Sequence, residues 1–84
     1  MTKTDFSKIA IRGIEGQTIE ADFQKQLGNQ LYMQGRDSEE CELGKKIYFA
    51  EGEVELSDKE RDIVKQSIQG YSYVARTAIE EAMQ

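Results

Sequence analysis

Histidine is absent from this sequence, and cysteine occurs only once. Histidine is the commonest general base near neutral pH and the commonest metal ligand, so its absence excludes most familiar catalytic arrangements. The cysteine, Cys41, lies among Glu39, Glu40 and Glu42, whose negative charges disfavour a reactive thiolate. We therefore interpret Cys41 as a packing residue. We expect a protein that is not an enzyme, with no catalytic residues, no metal site and no cofactor.

Proline is also absent, and no stretch is dominated by glycine and serine. The sequence thus lacks the usual composition of a flexible linker. A chain of 84 residues is long enough for one hydrophobic core and too short for two. We predict a single domain over residues 1–84, with residues 1–6 frayed at the N-terminus.

Long apolar runs are missing, and none approaches the roughly 20 residues that a membrane-spanning helix needs. The polar start of the chain does not resemble the core of a signal peptide. A lone thiol is better tolerated in a reducing compartment than outside the cell. These features favour a cytoplasmic protein with no membrane partner.

Basic residues are fewer than acidic residues, with 11 Lys and Arg against 16 Asp and Glu. The net charge is −5 and the pI is near 4.7. On average such a surface repels nucleic-acid phosphates and anionic lipids. We therefore do not expect nucleic acid to be the main partner.

The first third of the chain has the two-residue period of β-strands. Ile9 and Ile11 stand at alternate positions, and residues 18–23 repeat this period with Ile19, Ala21 and Phe23 on one face. Between them, Gly13 and Gly16 suit a turn, although the lysine and the third glycine of phosphate-binding loops are missing. The pattern predicts an N-terminal β-hairpin.

Apolar residues then recur at helical spacing. We predict one helix from Phe23 that ends at Gly35, and a second that begins at Asp37 or Ser38 and ends near Ala50. Residues 53–56 alternate again, as a short third strand or an extended lead-in to the next helix.

The third helix is the best marked, because Ser57 and Glu60 have the spacing of a capping box. It should be the longest helix and run to the C-terminus, with Gly70 as a possible break. The fold class is α+β, a hairpin packed on three helices.

Tyrosines are the most plausible contact residues for a partner. Tyr71 and Tyr73 cannot both lie at the centre of one buried helical stripe, so one of them should be at its rim. Tyrosine provides a large contact area at low entropic cost. We select Tyr32, Tyr48 and Tyr73 as candidate partner-binding residues, with ordinary boundary packing as the alternative for each.

Three short segments carry a resemblance to known proteins, both in their residues and in their order along the chain. They are Leu-Gly-Asn-Gln-Leu-Tyr at residues 27–32, Leu-Gly-Lys-Lys-Ile-Tyr at residues 43–48, and Gly-Glu-Val-Glu-Leu-Ser at residues 52–57. Over residues 9–83 the chain resembles small uncharacterised proteins encoded by bacteriophages and prophages. The resemblance implies a bacterial or phage cytoplasmic setting and a non-enzymatic accessory role. Residues 69–73 depart from that pattern, and partner choice could differ there.

Our first hypothesis is an accessory protein that binds a phage or bacterial host protein. A second is an acidic mimic of nucleic acid, or an inhibitor of a basic host protein, whose charged band comprises Glu39, Glu40, Glu42, Glu51, Glu53 and Glu55. A third is a small nucleic-acid-binding transcriptional regulator, which requires a patch formed by Lys3, Lys8, Arg12, Lys25 and Arg36. Self-association into a homo-oligomer through an unpaired strand edge is a further alternative.

Overall fold

The chain has an α+β fold, as the sequence predicted, in a computed structural model that describes residues 2–84. In chain order the elements are β1 (Thr2–Thr4), β2 (Ile9–Arg12), β3 (Thr18–Ala21), α1 (Gln24–Gln34), α2 (Ser38–Tyr48), β4 (Val54–Leu56), α3 (Asp58–Ser67), a 3-10 turn (Ile68–Gly70) and α4 (Tyr73–Ala82).

The predicted N-terminal hairpin is formed by β2 and β3, which pair antiparallel with Ile11 opposite Ile19. The turn is closed by a 2.7 Å hydrogen bond from the Gly13 amide to the carbonyl of Gln17. Gly16 has a φ of 85°, a conformation that residues with a side chain rarely adopt. The hairpin buries Ile9 against the core and leaves Ile19 half exposed.

The third strand is present as β4, but it does not extend the hairpin. It pairs antiparallel with β1, so that Thr4 lies opposite Val54. The prediction that residues 1–6 are frayed is wrong for residues 2–6, whereas Met1 lies outside the described residues. Phe6 is only 1% exposed, and the Thr4 hydroxyl donates a 3.1 Å hydrogen bond to the carbonyl of Ala82. The physical reason is that Phe6 fills the core and β4 needs a partner for its backbone groups.

Residues 58–82 form the longest helical segment, but it is divided into two helices, which gives four helices instead of three. The capping box is confirmed, since the Glu60 amide donates to Ser57 Oγ at 3.2 Å and the Ser57 amide donates to Glu60 Oε1 at 2.9 Å. After Gly70 the backbone becomes extended at Tyr71, and the hydroxyl of Ser72 accepts from the Ala75 amide to begin α4. The break therefore has its own N-cap.

The core is one cluster of buried apolar side chains to which strands and helices both contribute. Its members are Phe6, Ile9, Leu27, Leu31, Leu43, Ile47, Val54, Leu56, Val64, Ile68, Ala78, Ile79 and Met83. Around it, α1 packs on α2 and α4 packs on β2.

Candidate functional site

The two helices α1 and α2 form an antiparallel hairpin that crosses at a pair of glycines. A Cβ atom placed on Gly28 would lie 2.9 Å from the carbonyl oxygen of Gly44 and 2.8 Å from the Tyr48 amide nitrogen. On Gly44, it would lie 2.7 Å from the Gly28 carbonyl oxygen and 2.7 Å from the Tyr32 amide nitrogen. Side-chain carbons do not approach backbone atoms this closely, so the crossing requires glycine on both helices.

Both helices present the same pattern to this crossing, Leu-Gly-x-x-Leu-Tyr in α1 and Leu-Gly-x-x-Ile-Tyr in α2. The aliphatic positions are fully buried in the core and comprise Leu27, Leu31, Leu43 and Ile47. The glycine is the contact point, and the tyrosine that follows it by one turn lies at the outer edge. The repeated pattern thus builds two similar halves of one surface.

Between the halves lies an open groove of about 290 Å³, whose lining residues are Gly28, Asn29, Tyr32, Gly44, Lys45, Tyr48 and Phe49. The backbones of Gly28 and Gly44, which are in contact where the helices cross, form its floor. Tyr32 is 48% exposed and Phe49 is 72% exposed. The Phe49 ring meets that of Tyr48 edge to face, with 5.0 Å between centroids. The helical hairpin therefore presents a concave surface with aromatic walls.

Two lysines stand over the aromatic walls. Lys25 Nζ lies 4.1 Å from the centroid of the Tyr48 ring, and Lys45 Nζ lies 5.7 Å from that of the Tyr32 ring. No Asp or Glu is among the residues that line the groove. The nearest acidic neighbour of Lys45 is Glu42, at 3.5 Å in a largely exposed ion pair. The groove is thus locally cationic in a protein whose net charge is −5.

The N-terminal end of α1 holds the C-terminal end of α2. Gln24 Nε2 donates to the carbonyls of Tyr48, at 3.1 Å, and Ala50, at 2.6 Å. Lys25 Nζ also donates to the Tyr48 carbonyl at 3.3 Å. These bonds satisfy carbonyls that a helix end leaves without partners. They fix the backbone of Tyr48 and Ala50 relative to α1.

Of the three tyrosines selected from the sequence, Tyr32 and Tyr48 come together in the groove and Tyr73 does not. Tyr73 lies on α4, is 72% exposed, and has the Arg76 guanidinium carbon 5.8 Å from its ring centroid. It lines a separate shallow cavity beside β2. Sequence reasoning missed the glycine floor, although the pattern shared by residues 27–32 and 43–48 was the signal for it.

Tyr71 has a different role from Tyr73. It is half buried, and its ring lies 6.0 Å from that of Phe23. Within residues 2–84 its buried hydroxyl has no hydrogen-bond partner in suitable geometry. Burial raises the pKa of Tyr71, with nearby Gln26 acting in the opposite direction. Tyr71 therefore packs at the edge of the core while Tyr73 faces solvent. The two tyrosines do not share one helix, as the prediction assumed, because the backbone at Tyr71 is extended and α4 begins at Tyr73.

Outside the groove, we looked for metal ligands, a reactive cysteine and membrane-spanning helices. Among the described residues 2–84, no three His, Cys, Asp or Glu side chains are grouped so as to hold a metal ion. Cys41 is half buried, with its sulfur 3.5 Å from the carbonyl oxygen of Tyr32. In the same part of the chain, every helix is too short or too polar to cross a membrane.

The acidic band between residues 39 and 55 is interrupted by basic groups. Lys59 Nζ lies 2.6 Å from Glu39, and Glu55 faces Lys3 across the β1–β4 pair. The basic residues proposed as a patch are also dispersed. Lys25 lies in the first turn of α1 and Arg36 lies two residues beyond its last residue, so they are at opposite ends of an 11-residue helix that spans about 16 Å. Neither a continuous negative face nor the predicted positive patch is favoured by these positions.

No protein-family model matches the chain, and no curated protein or solved structure is significantly similar to it. The resemblance to phage and prophage proteins accordingly stays a prediction. The function of the groove has to be inferred from its own geometry.

Proposed function

We propose that this protein acts by binding another protein through the groove between α1 and α2, and that it does so without catalysis. The observation that supports this most directly is the concave aromatic surface over Gly28 and Gly44, flanked by the exposed side chains of Tyr32 and Phe49. Tyrosine and phenylalanine are enriched in interface cores, and a fully desolvated aromatic contact is a typical hot spot. A phage or host protein in the bacterial cytoplasm is the partner that the sequence resemblance suggests.

The groove is a better interface than a larger cavity that lies between α2 and α3. That cavity, of about 540 Å³, is lined by charged groups, including Glu39 and Lys59 at 2.6 Å and Lys46 and Glu60 at 3.1 Å. Covering such pairs removes charges from water at a cost that their attraction barely offsets. The groove has no ion pair across its floor, so a partner can displace water from it more cheaply.

The groove is also well organised before any partner arrives. Its floor is held by direct backbone contact between Gly28 and Gly44, and one wall is tied to α1 by the hydrogen bonds of Gln24. A surface that is already ordered loses less conformational entropy on binding. This rigidity favours a specific interface over an adaptable one.

A pair of matched substitutions tests the proposal. Tyr32→Ala removes one groove wall, whereas Tyr73→Ala removes an exposed tyrosine on α4. Wild-type protein and both variants are immobilised and incubated with nuclease-treated lysate of the bacterium that carries the gene. We expect one partner to bind stoichiometrically to wild type and to Tyr73→Ala, and at least about 10-fold less to Tyr32→Ala, as for a hot-spot residue.

Equal binding by Tyr32→Ala and wild type would contradict the proposal. So would a partner that is lost only with Tyr73→Ala, because it would use the α4 surface. Nucleic acid retained in lysate without nuclease, in place of any protein, would favour the transcriptional regulator. Both variants should have the circular dichroism spectrum of the folded protein, since the substituted side chains are 48% exposed at Tyr32 and 72% exposed at Tyr73.

A further inference from the structure

We infer that the segment bound in the groove is acidic and inserts one large apolar side chain between Tyr32 and Tyr48. This rests on the proposed function and specifies the chemistry of the partner. Two independent properties of the groove lead to it, the shape of its floor and the sign of the charges at its rim.

The concave shape of the groove favours a partner that inserts a single protruding side chain. The floor lacks side chains at Gly28 and Gly44, and the open volume of about 290 Å³ is bordered by Tyr32 and Tyr48. Its walls are aromatic rings, which pack well against an aliphatic or aromatic group. A leucine-sized or phenylalanine-sized residue would enter the groove and contact the side chains of Tyr32 and Tyr48.

The positive charges beside the groove favour a partner that has carboxylates next to the inserted residue. Lys45 is one of the lining residues, none of which is acidic, and the Lys25 ammonium lies over the ring of Tyr48, which forms one wall. Within residues 2–84, Lys25 has no carboxylate within ion-pair distance. A partner with Asp or Glu on either side of its apolar residue would supply the opposite charge that Lys25 lacks and would compete with Glu42 for Lys45, whereas a basic partner would be repelled.

The net charge of −5 works against an acidic ligand at long range. At physiological ionic strength, however, the Debye length is about 8 Å, so the lysines beside the ligand outweigh distant carboxylates. Salt would screen both effects at once. Substitution of individual charges is therefore the clearer measurement.

Substitution of Glu42 should change the binding affinity in the opposite direction from substitution of the lysines. It pairs with Lys45 at 3.5 Å but does not line the groove. Glu42→Gln should free Lys45 and strengthen binding of an acidic segment, whereas Lys25→Gln and Lys45→Gln should weaken it. Lys65→Gln is the control, because Lys65 is an exposed lysine on α3 away from the groove.

The experiment begins with selection of a random linear peptide library on the immobilised wild-type protein, with counter-selection on Tyr32→Ala. We expect the enriched sequences to contain one large apolar residue flanked by Asp or Glu. Affinities of the strongest peptide are then measured by fluorescence polarisation. Each groove lysine substitution should weaken binding about 3-fold, the scale of an exposed ion pair, and Lys65→Gln should leave it within about 2-fold.

Enriched peptides that are basic or free of acids would overturn the inference, even when they compete for the groove. The same holds for acidic peptides whose affinity is unchanged by Lys25→Gln and Lys45→Gln, and for a library from which nothing is enriched. None of these results contradicts the proposed function, which is decided separately by partner capture with Tyr32→Ala and Tyr73→Ala.

Discussion

Glycine at position 44 shows how one residue sets the geometry of the candidate site. A Cβ atom there would press on the backbone of Gly28 and Tyr32 at 2.7 Å, and neither atom is the end of a flexible side chain. Gly44→Ala gains about 1 kcal/mol in helix propensity but forces the two helices apart. We expect a net loss of about 2 kcal/mol in the free energy of unfolding, as for overpacked cores, measured by urea denaturation.

Gly70→Ala is the matched control for this substitution. An added Cβ atom at Gly70 meets no atom within 4 Å, and the backbone there has no positive φ. Gly70→Ala should change the free energy of unfolding by less than about 1 kcal/mol. The main effect is that alanine makes the unfolded chain less flexible, which favours the folded state. Equal unfolding free energies for Gly44→Ala and wild type would show that the helices need no glycine contact.

At the scale of elements, the N-terminus of α3 combines a cap with an ion pair. Burial alone raises the pKa of Glu60, but hydrogen bonds from the Ser57 amide and the Lys46 ammonium outweigh it, so the pKa is lowered from its ordinary value of 4.5. A carboxyl group with a lowered pKa stabilises the folded state above its unfolded pKa. That stabilisation is lost as the pH falls through the folded pKa.

Glu60→Gln should therefore reduce the free energy of unfolding at pH 7 and have a much smaller effect at an acidic pH below the lowered pKa of Glu60, where the wild-type side chain is protonated. Urea denaturation at both pH values measures the difference. Glu15→Gln, in the exposed turn of the hairpin, is the control and should have little effect at either pH. A penalty for Glu60→Gln that is independent of pH would mean that the charge of Glu60 contributes nothing.

Elements held by local interactions were predictable from the sequence, and those held by distant ones were not. The hairpin and the caps at Asp37 and Ser57 each follow from residues within a few positions of one another. The pairing of β1 with β4 joins segments at opposite ends of the first two thirds of the chain, and no local pattern specifies it. Only two of the three candidate tyrosines meet, because which surfaces face each other depends on the packing of whole helices.

For the molecule as a whole, the N-terminal segment is part of the core. Phe6 is 1% exposed, and the amide of Phe23 donates a 2.8 Å hydrogen bond to the carbonyl of Phe6. The segment thus ties β1 and β4 to the start of α1. Removing its aromatic anchor should affect every element at once, although residues 1–6 were predicted to be frayed.

We expect Phe6→Ala to lower the free energy of unfolding by about 3–5 kcal/mol, as for large-to-small substitutions in protein cores. This is a large share of the total, since domains are stable by only about 0.05–0.15 kcal/mol per residue. Phe49→Ala makes the same change at a ring that is 72% exposed, and should cost less than about 0.5 kcal/mol. Urea denaturation of both variants separates the two roles, because Phe49→Ala should retain stability and lose affinity for a groove-binding peptide. A loss below about 1 kcal/mol for Phe6→Ala would show that the fold does not depend on its N-terminal segment.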